Sequence, residues 1–293
     1  MATEFWAALQ AVLNGMLTGA LYALIGMGMA LIFGVMRIVN FAHGAFMMVG
    51  MYATFVLFEQ LGVTPYVGFL AAAVTLFVLG VAVYHGLLRR ITGRSDFMQI
   101  LLTLGIAQML IGGAQVVFHG DFRQVNIPLL DINLRFSSHI TLSAPWLLSF
   151  AIAIAVAGGM FLFVMKTRFG RALRAIAQNR YAASLMGIHV QRTQAIAFGL
   201  GVAAVGLAGG LLLPVYYLYP DVGAQFTLKS FVMVVLGGMG SVAGAAAGGL
   251  ALGVIESLTS LYWGNEWAFF VDFVIFLLVL SFRPAGLFGS QRV

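Results

Sequence analysis

Seven stretches of this 293-residue sequence run long enough to cross a bilayer without one Asp, Glu, Lys or Arg. They are Phe5–Met36, Ile38–Phe58, Gln60–Leu88, Phe97–Gly120, Phe136–Met165, Thr193–Pro220 and Ser230–Ile255. A crossing needs about 20 mainly apolar residues. A lipid-exposed backbone must satisfy its own hydrogen bonds, and uncharged runs of this length do so as helices. Ser230–Ile255 is broken by Gly237-Gly238-Met239-Gly240, and a further apolar segment, Trp267–Phe282, carries Asp272. The sequence therefore predicts an all-α polytopic membrane protein with eight or nine transmembrane helices, some broken by glycine. The open point is Phe226–Tyr262, which reads either as two spans or as a re-entrant hairpin.

Composition closes off other classes. With 62% hydrophobic and 8% charged residues, a soluble fold would lack a polar surface, since soluble domains carry about 25% charged residues. A disordered chain and a nucleic-acid-binding domain are excluded on the same ground. Cysteine is absent, which removes disulfides, thiolate metal sites and thiol nucleophiles. No metal site and no HExxH motif is read, and no nucleotide-binding loop is present. Any ATP-driven work must come from another chain. No Lys or Arg precedes the first apolar run, so it reads as mature protein rather than as a secretory signal.

Basic residues orient the chain. With Lys166–Arg192 placed in the cytoplasm and nine crossings, Arg37, Arg89, Arg90, Arg94, Lys166, Arg168, Arg171, Arg174, Arg180, Arg192, Arg283 and Arg292 lie inside. Arg123, Arg135 and Lys229 lie outside. This positive-inside bias puts the N-terminus outside and the C-terminus inside. Four spans in Leu9–His119 and four in Gln194–Phe282 flank one span, an arrangement compatible with an inverted repeat.

Four segments are candidates for function. Lys166–Gln194 is the longest cytoplasmic loop. Leu173, Ile176 and Ala177 fall on one side of a helix there, Arg171, Arg174 and Gln178 on the other, and Gly187 is a natural terminator. It reads as a docking surface for a cytoplasmic partner, the alternative being a basic loop that only fixes topology. In Gly34–Gly44, Asn40 is placed to cap a helix beginning at Phe41. His43 reads as a hydrogen bond stitching two helices, ahead of a proton site or gate. In Val235–Gly253 the pairs Gly244/Gly248 and Gly249/Gly253 have small-xxx-small spacing, which brings helices close. Gly237, Gly238 and Gly240 break the span, and a pore role stays open beside packing. Asn14, Gln99, Gln108, Gln115, Glu256 and Asp272 are intramembrane polar residues. The two acids are placed toward the outer ends of their spans, reaching headgroups or water. No basic intramembrane partner is read for them, so a proton relay is poorly supported.

Four stretches together resemble a known family: GMGMALIFGVMRIVNFAHGAFMMVGMY (Gly26–Tyr52), ASLMGIHVQRTQAIAFGLG (Ala183–Gly201), VLGGMGSVAGAAAGGLALGVIE (Val235–Glu256) and FRPAGLFG (Phe282–Gly289). In this combination the chain is similar to the inner-membrane permease subunits of branched-chain amino acid ABC importers. The resemblance implies a heterodimer with a second related permease, two cytoplasmic ATPase subunits that hold ATP and magnesium, and a periplasmic solute-binding protein. It implies no cofactor on this chain and no enzymatic activity of its own. The family's coupling motif, two alanines and then a glycine after three residues, matches Ala182-Ala183 and Gly187. Tyr181 stands where an acidic residue is common. The coupling set is then Gly170, Arg171, Arg174, Ala182, Ala183, Met186, Gly187 and Ile188. The translocation-path or helix-packing set is Asn40, His43, Gly237, Gly238, Gly240, Gly244 and Gly248. Residues 1–293 form one permease domain containing the coupling loop 166–194. The alternative is a self-sufficient secondary transporter driven by a proton or sodium gradient.

Overall fold

A computed structural model describes residues 2–283 together with Gly286 and Leu287. Arg292 and half of the last resembling stretch (Pro284, Ala285, Phe288 and Gly289) lie outside the described residues. Among the described residues, the regular structure is helical apart from one short hairpin, and eight helices are long and apolar enough to cross a membrane.

The first half holds α1 (Ala2–Met36), α2 (His43–Leu61) and α3 (Pro65–Val83), which continues through a π turn, Tyr84–Leu88, into the short α4 (Arg89–Ile91). Helix α5 (Asp96–Phe118) follows. An outer segment then carries strands β1 (Asn133–Arg135) and β2 (Thr141–Ser143), paired antiparallel. Beyond it come α6 (Ala144–Lys166), α7 (Arg168–Gln178), α8 (Arg180–Leu185) and α9 (Val190–Leu212). The chain closes with α10 (Gly223–Gly237), α11 (Val242–Trp263) and α12 (Asn265–Phe282).

Helices α1 and α9 form the centre and are buried along most of their length, whereas α3, α5, α6 and α12 turn apolar side chains outward. Helix α1 runs antiparallel to α11: a Cβ on Gly15 would meet Val254, one on Gly19 would meet Leu250, and one on Gly34 would meet Gly240. The two small-residue pairs of α11 serve different neighbours. Gly249 and Gly253 face Ala23 and Gly19 of α1, while Gly244 and Gly248 face Gly237 and Met233 of α10. Helices without side chains at the contact approach closely enough for dispersion to act between backbones.

The chain between α1 and α2 departs from the sequence expectation. Asn40 does not cap a helix starting at Phe41. Its Oδ1 accepts from the Ala42 N–H at 3.1 Å, and α2 begins at His43. Residues 37–42 turn back into the bundle, since His43 reaches the carbonyl of Ile25, eleven residues before the end of α1. At 1.5 Å per residue that is a depth of about 16 Å. Six extended residues span up to about 20 Å, enough for the return. Ile38, Asn40 and Ala42 are buried, as irregular backbone at membrane depth must be.

Helix α10 also starts inside the bundle. Its first residue, Gly223, lies against Gly44 of α2 with no room for a Cβ on either, and the Gly44 N–H donates to Thr227 Oγ1 at 3.0 Å. At 15 residues α10 is too short for a full crossing. The Gly-rich region thus holds one short helix and one full span. At the far end of α10, Gly238 and Gly240 adopt φ of 103° and 87°, a region that only glycine enters cheaply. The Leu287 N–H donates to the Leu236 carbonyl at 2.9 Å, bringing the segment after α12 back onto this end.

Candidate functional site

The segment between α6 and α9 folds as two short capped helices. Thr167 Oγ1 accepts from the Gly170 N–H at 3.0 Å and starts α7, and Asn179 Oδ1 accepts from the Ala182 N–H at 3.0 Å and starts α8. Each cap satisfies a backbone donor that the first turn leaves free. Leu173 and Ile176 are buried, Ala177 is half-buried, and Arg171 and Gln178 are exposed. Gly170 is buried where α7 meets the end of α6, and a Cβ there would overlap the Val164 carbonyl. The Arg174 guanidinium donates to the same carbonyl. Arg174 therefore closes the end of α6 within its own chain, while Arg171 points out.

Helix α8 presents a different surface. Ala183 is buried against the chain, but Tyr181, Leu185 and Met186 are 74%, 70% and 83% exposed. Gly187 ends the helix with φ of 81°. The Gly187 N–H donates to Ser184 and the Ile188 N–H to Ala183, both at 3.1 Å. This left-handed glycine closure turns the chain toward α9 and half-buries Ile188. Ala182, Met186 and Gly187 are exposed together. Three large apolar residues are thus held outward on a short helix in a basic segment.

The second expected set sits elsewhere. Asn40, His43, Gly237, Gly244 and Gly248 are all buried. His43 Nε2 lies 3.0 Å from the Ile25 carbonyl, which can only accept, so Nε2 carries the proton and binds α2 to α1. Gly237 and Gly244 abut each other, Gly248 meets the Met233 carbonyl, Gly240 meets Gly34, and Gly238 forms the turn. These residues are placed where helices touch.

Sequence reasoning missed a polar cluster. Lys229 is not in an outer loop. It lies on α10, and its Nζ is 2.5 Å from Glu256 Oε1 and donates to Tyr22 Oη at 2.9 Å. Tyr22 Oη donates to Glu256 Oε2 at 2.8 Å. Glu256 has a basic intramembrane partner after all, and Asp272, 2% exposed, reaches neither headgroup nor water. The signal was present: the only Lys between Lys166 and the C-terminus stands in an apolar helical run.

The remaining intramembrane amides divide. Gln99 is buried and donates to the Arg94 carbonyl at 3.0 Å. Asn14 Oδ1 accepts from Gln10 at 3.2 Å. Gln108 and Gln115 on α5 are exposed, and Gly105 and Gly112 lie on the same stripe with open space beside them. An apolar cavity of about 260 Å³, lined by Leu31, Ala73, Val156, Met160, Leu200 and Leu207 among others, has no charged group to receive a zwitterion.

Residues 11–280 match the family described as branched-chain amino acid transport system, permease component. The chain belongs to this family. The high-affinity branched-chain amino acid transport system permease protein LivH of Salmonella typhimurium is 32% identical, over 100% of this chain and 99% of the relative. BraD of Pseudomonas aeruginosa, a permease protein of the same description, is 31% identical over 99% and 98%. A probable branched-chain amino acid transport permease protein, LivM of Methanocaldococcus jannaschii, is 26% identical over 68% and 62%. The solved structure of PsaBC from Streptococcus pneumoniae in complex with Fab shares the fold, with a TM-score of 0.54, 14% identity and 97% of each chain covered. The chain is therefore a multi-pass membrane permease, a transport component of the ABC type with no catalytic domain.

Proposed function

We propose that this permease carries branched-chain amino acids across a bacterial inner membrane, as one half of a pore formed with a second, related permease. Two cytoplasmic ATPase subunits supply the work from ATP and magnesium, and a periplasmic binding protein delivers the solute. The N-terminus is periplasmic and the C-terminus cytoplasmic. Residues 1–293 act as one permease domain, and 166–194 is its coupling segment.

The observation that carries this reading is the outward apolar face of α8, formed by Tyr181, Leu185 and Met186. Large apolar side chains exposed on a helix outside the spans fit burial in a partner. Gly187 and the Asn179 cap fix its direction. Gly170 and Arg174 pack α7 onto the end of α6, Ala183 and Ile188 turn α8 toward the rest of the chain, and Arg171, Ala182 and Met186 are free to touch the ATPase. A push on α8 is thereby passed to the bundle.

The exposed stripe on α5 supports the second permease. Amides turned toward lipid tails have no partner to bond, and Gly105 and Gly112 let another helix approach. The match to LivM fits a related, non-identical partner.

The chain has no cysteine, so Met186→Cys creates a single thiol on α8. In the assembled transporter a short thiol-reactive cross-linker at this position is expected to join the permease to an ATPase subunit. Leu162→Cys, on the exposed apolar side of α6, is the control and should give no such product. Failure of the α8 thiol to cross-link at any linker length would refute the docking role.

A further inference from the structure

Helix α6 is fastened at both ends. Near its start Ser149 Oγ donates to the Leu211 carbonyl of α9 at 3.1 Å. At its end Gly170 of α7 packs against Val164, and the Arg174 guanidinium donates to the Val164 carbonyl. Between these points Gly159 of α6, Ala73 of α3 and Ala203 and Ala204 of α9 are small, and the apolar cavity of about 260 Å³ lies among them.

The cavity is a crevice drawn out along the helices. Its lining runs from Val156 to Val164 on α6, a rise of about 12 Å, and from Leu200 to Leu207 on α9, about 10 Å. Gly159 is exposed, and a Cβ there would meet nothing within 4 Å. The crevice therefore opens beside Gly159, on a helix whose Phe161 and Leu162 are also turned outward. Every lining residue is apolar. Water finds no hydrogen-bond partner in such a space, and apolar walls without a neighbour forfeit dispersion contacts. The occupant that suits it is one hydrocarbon chain lying along the spans, as the acyl chains of a bilayer do.

One end of the crevice is basic. Val164 lines it, and Arg174 is hydrogen-bonded to Val164. That bond and a 3.9 Å contact with Met165 Sδ both use Nη1. A guanidinium has five N–H donors, so Nε and Nη2 of Arg174 remain available. Lys166 and Arg168 follow Val164 within four residues, and both are exposed. Among the described residues, none of these three cations is ion-paired with a carboxylate. Cations gathered without a counter-charge at the end of an apolar slot complement a phosphate that carries a hydrocarbon chain.

We propose that this crevice binds an anionic phospholipid, with one acyl chain between α3, α6 and α9 and its phosphate on Arg174, Lys166 and Arg168. The slot selects a lipid and the cations select its charge. This assignment does not depend on which solute is carried.

The test is native mass spectrometry of the transporter assembled with its partner chains, stripped of lipid and titrated with phosphatidylglycerol or with phosphatidylcholine of the same acyl chains. The parent should hold one phosphatidylglycerol at least about tenfold more tightly than phosphatidylcholine. Gly159→Phe places a ring in the crevice and should abolish that tight binding. Gly158 also has open space beside it but does not line the crevice, so Gly158→Phe should bind as the parent does. Replacing Lys166 and Arg168 together by Gln should bring the two lipids to within about twofold of each other. Equal binding of the two lipids by the parent would overturn the proposal, and that measurement needs no variant to fold. So would tight phosphatidylglycerol binding that survives in Gly159→Phe, or its equal loss in Gly158→Phe. A full preference for phosphatidylglycerol in the double Gln variant would overturn the headgroup assignment.

Discussion

Gly44→Leu is expected to remove the folded permease from the membrane, and Gly44→Ala to lower its melting temperature by several degrees. At this position α2 begins inside the bundle, and its backbone lies on the backbone of Gly223 where α10 begins. The obstacle to a Cβ is a carbonyl group and the Thr227 hydroxyl that holds the Gly44 N–H. Neither is the loose end of a flexible side chain. Inserting atoms into a packed core costs about 1–3 kcal/mol where side chains can yield. A backbone that cannot yield should put the cost at or above the top of that range. Gly158→Ala is the matched control, because a Cβ there meets open space, and it should change the melting temperature by no more than about 1 °C. The measurement is thermal unfolding in detergent, together with the amount of protein in the membrane. Equal stability of the Gly44 and Gly158 alanine variants would show that the two helix starts are not in contact.

The second large effect is on coupling. With Leu185 and Met186 both replaced by Glu, uptake should fall at least tenfold, while the ATPase subunits continue to hydrolyse ATP. Both side chains are exposed, so the folded permease loses little, within about 0.5 kcal/mol per site. A carboxylate forced into an apolar partner pocket instead costs several kcal/mol if unpaired. Ala183→Glu should behave differently, because Ala183 is buried beneath α8. It should lower thermal stability as well as uptake. The readouts are solute uptake, ATP hydrolysis and melting temperature on the same preparation. Normal uptake in the double variant would take α8 out of the mechanism.

The spans were legible because their signal is long and redundant: tens of uncharged residues outweigh any local preference. The local fold of residues 166–194 was legible for a related reason. Asn179 and Gly187 punctuate it with a cap and a left-handed stop, and both act locally. Glycine spacing on α11 revealed that helices approach closely but not which ones, since Gly248 and Gly249 are neighbours in sequence and face different helices. The return of residues 37–42 into the bundle was not legible. It depends on His43 meeting the Ile25 carbonyl, a contact with no local signature. Lys229 was placed outside because counting charges by side treats every cation as solvated. Its partners Tyr22 and Glu256 are 207 and 27 positions away, brought to it only by the packing of α1 and α11 against α10. The same reason hid the face on which Gln108 and Gln115 lie outward.

Uptake of labelled leucine into proteoliposomes tests the central claim most directly. The liposomes would contain this chain with its second permease and ATPases, and the binding protein would be added outside. The expected result is uptake that requires enclosed ATP and every partner, and that persists when an ionophore collapses the proton and sodium gradients. Uptake by this chain alone, driven by either gradient without ATP, would contradict the account.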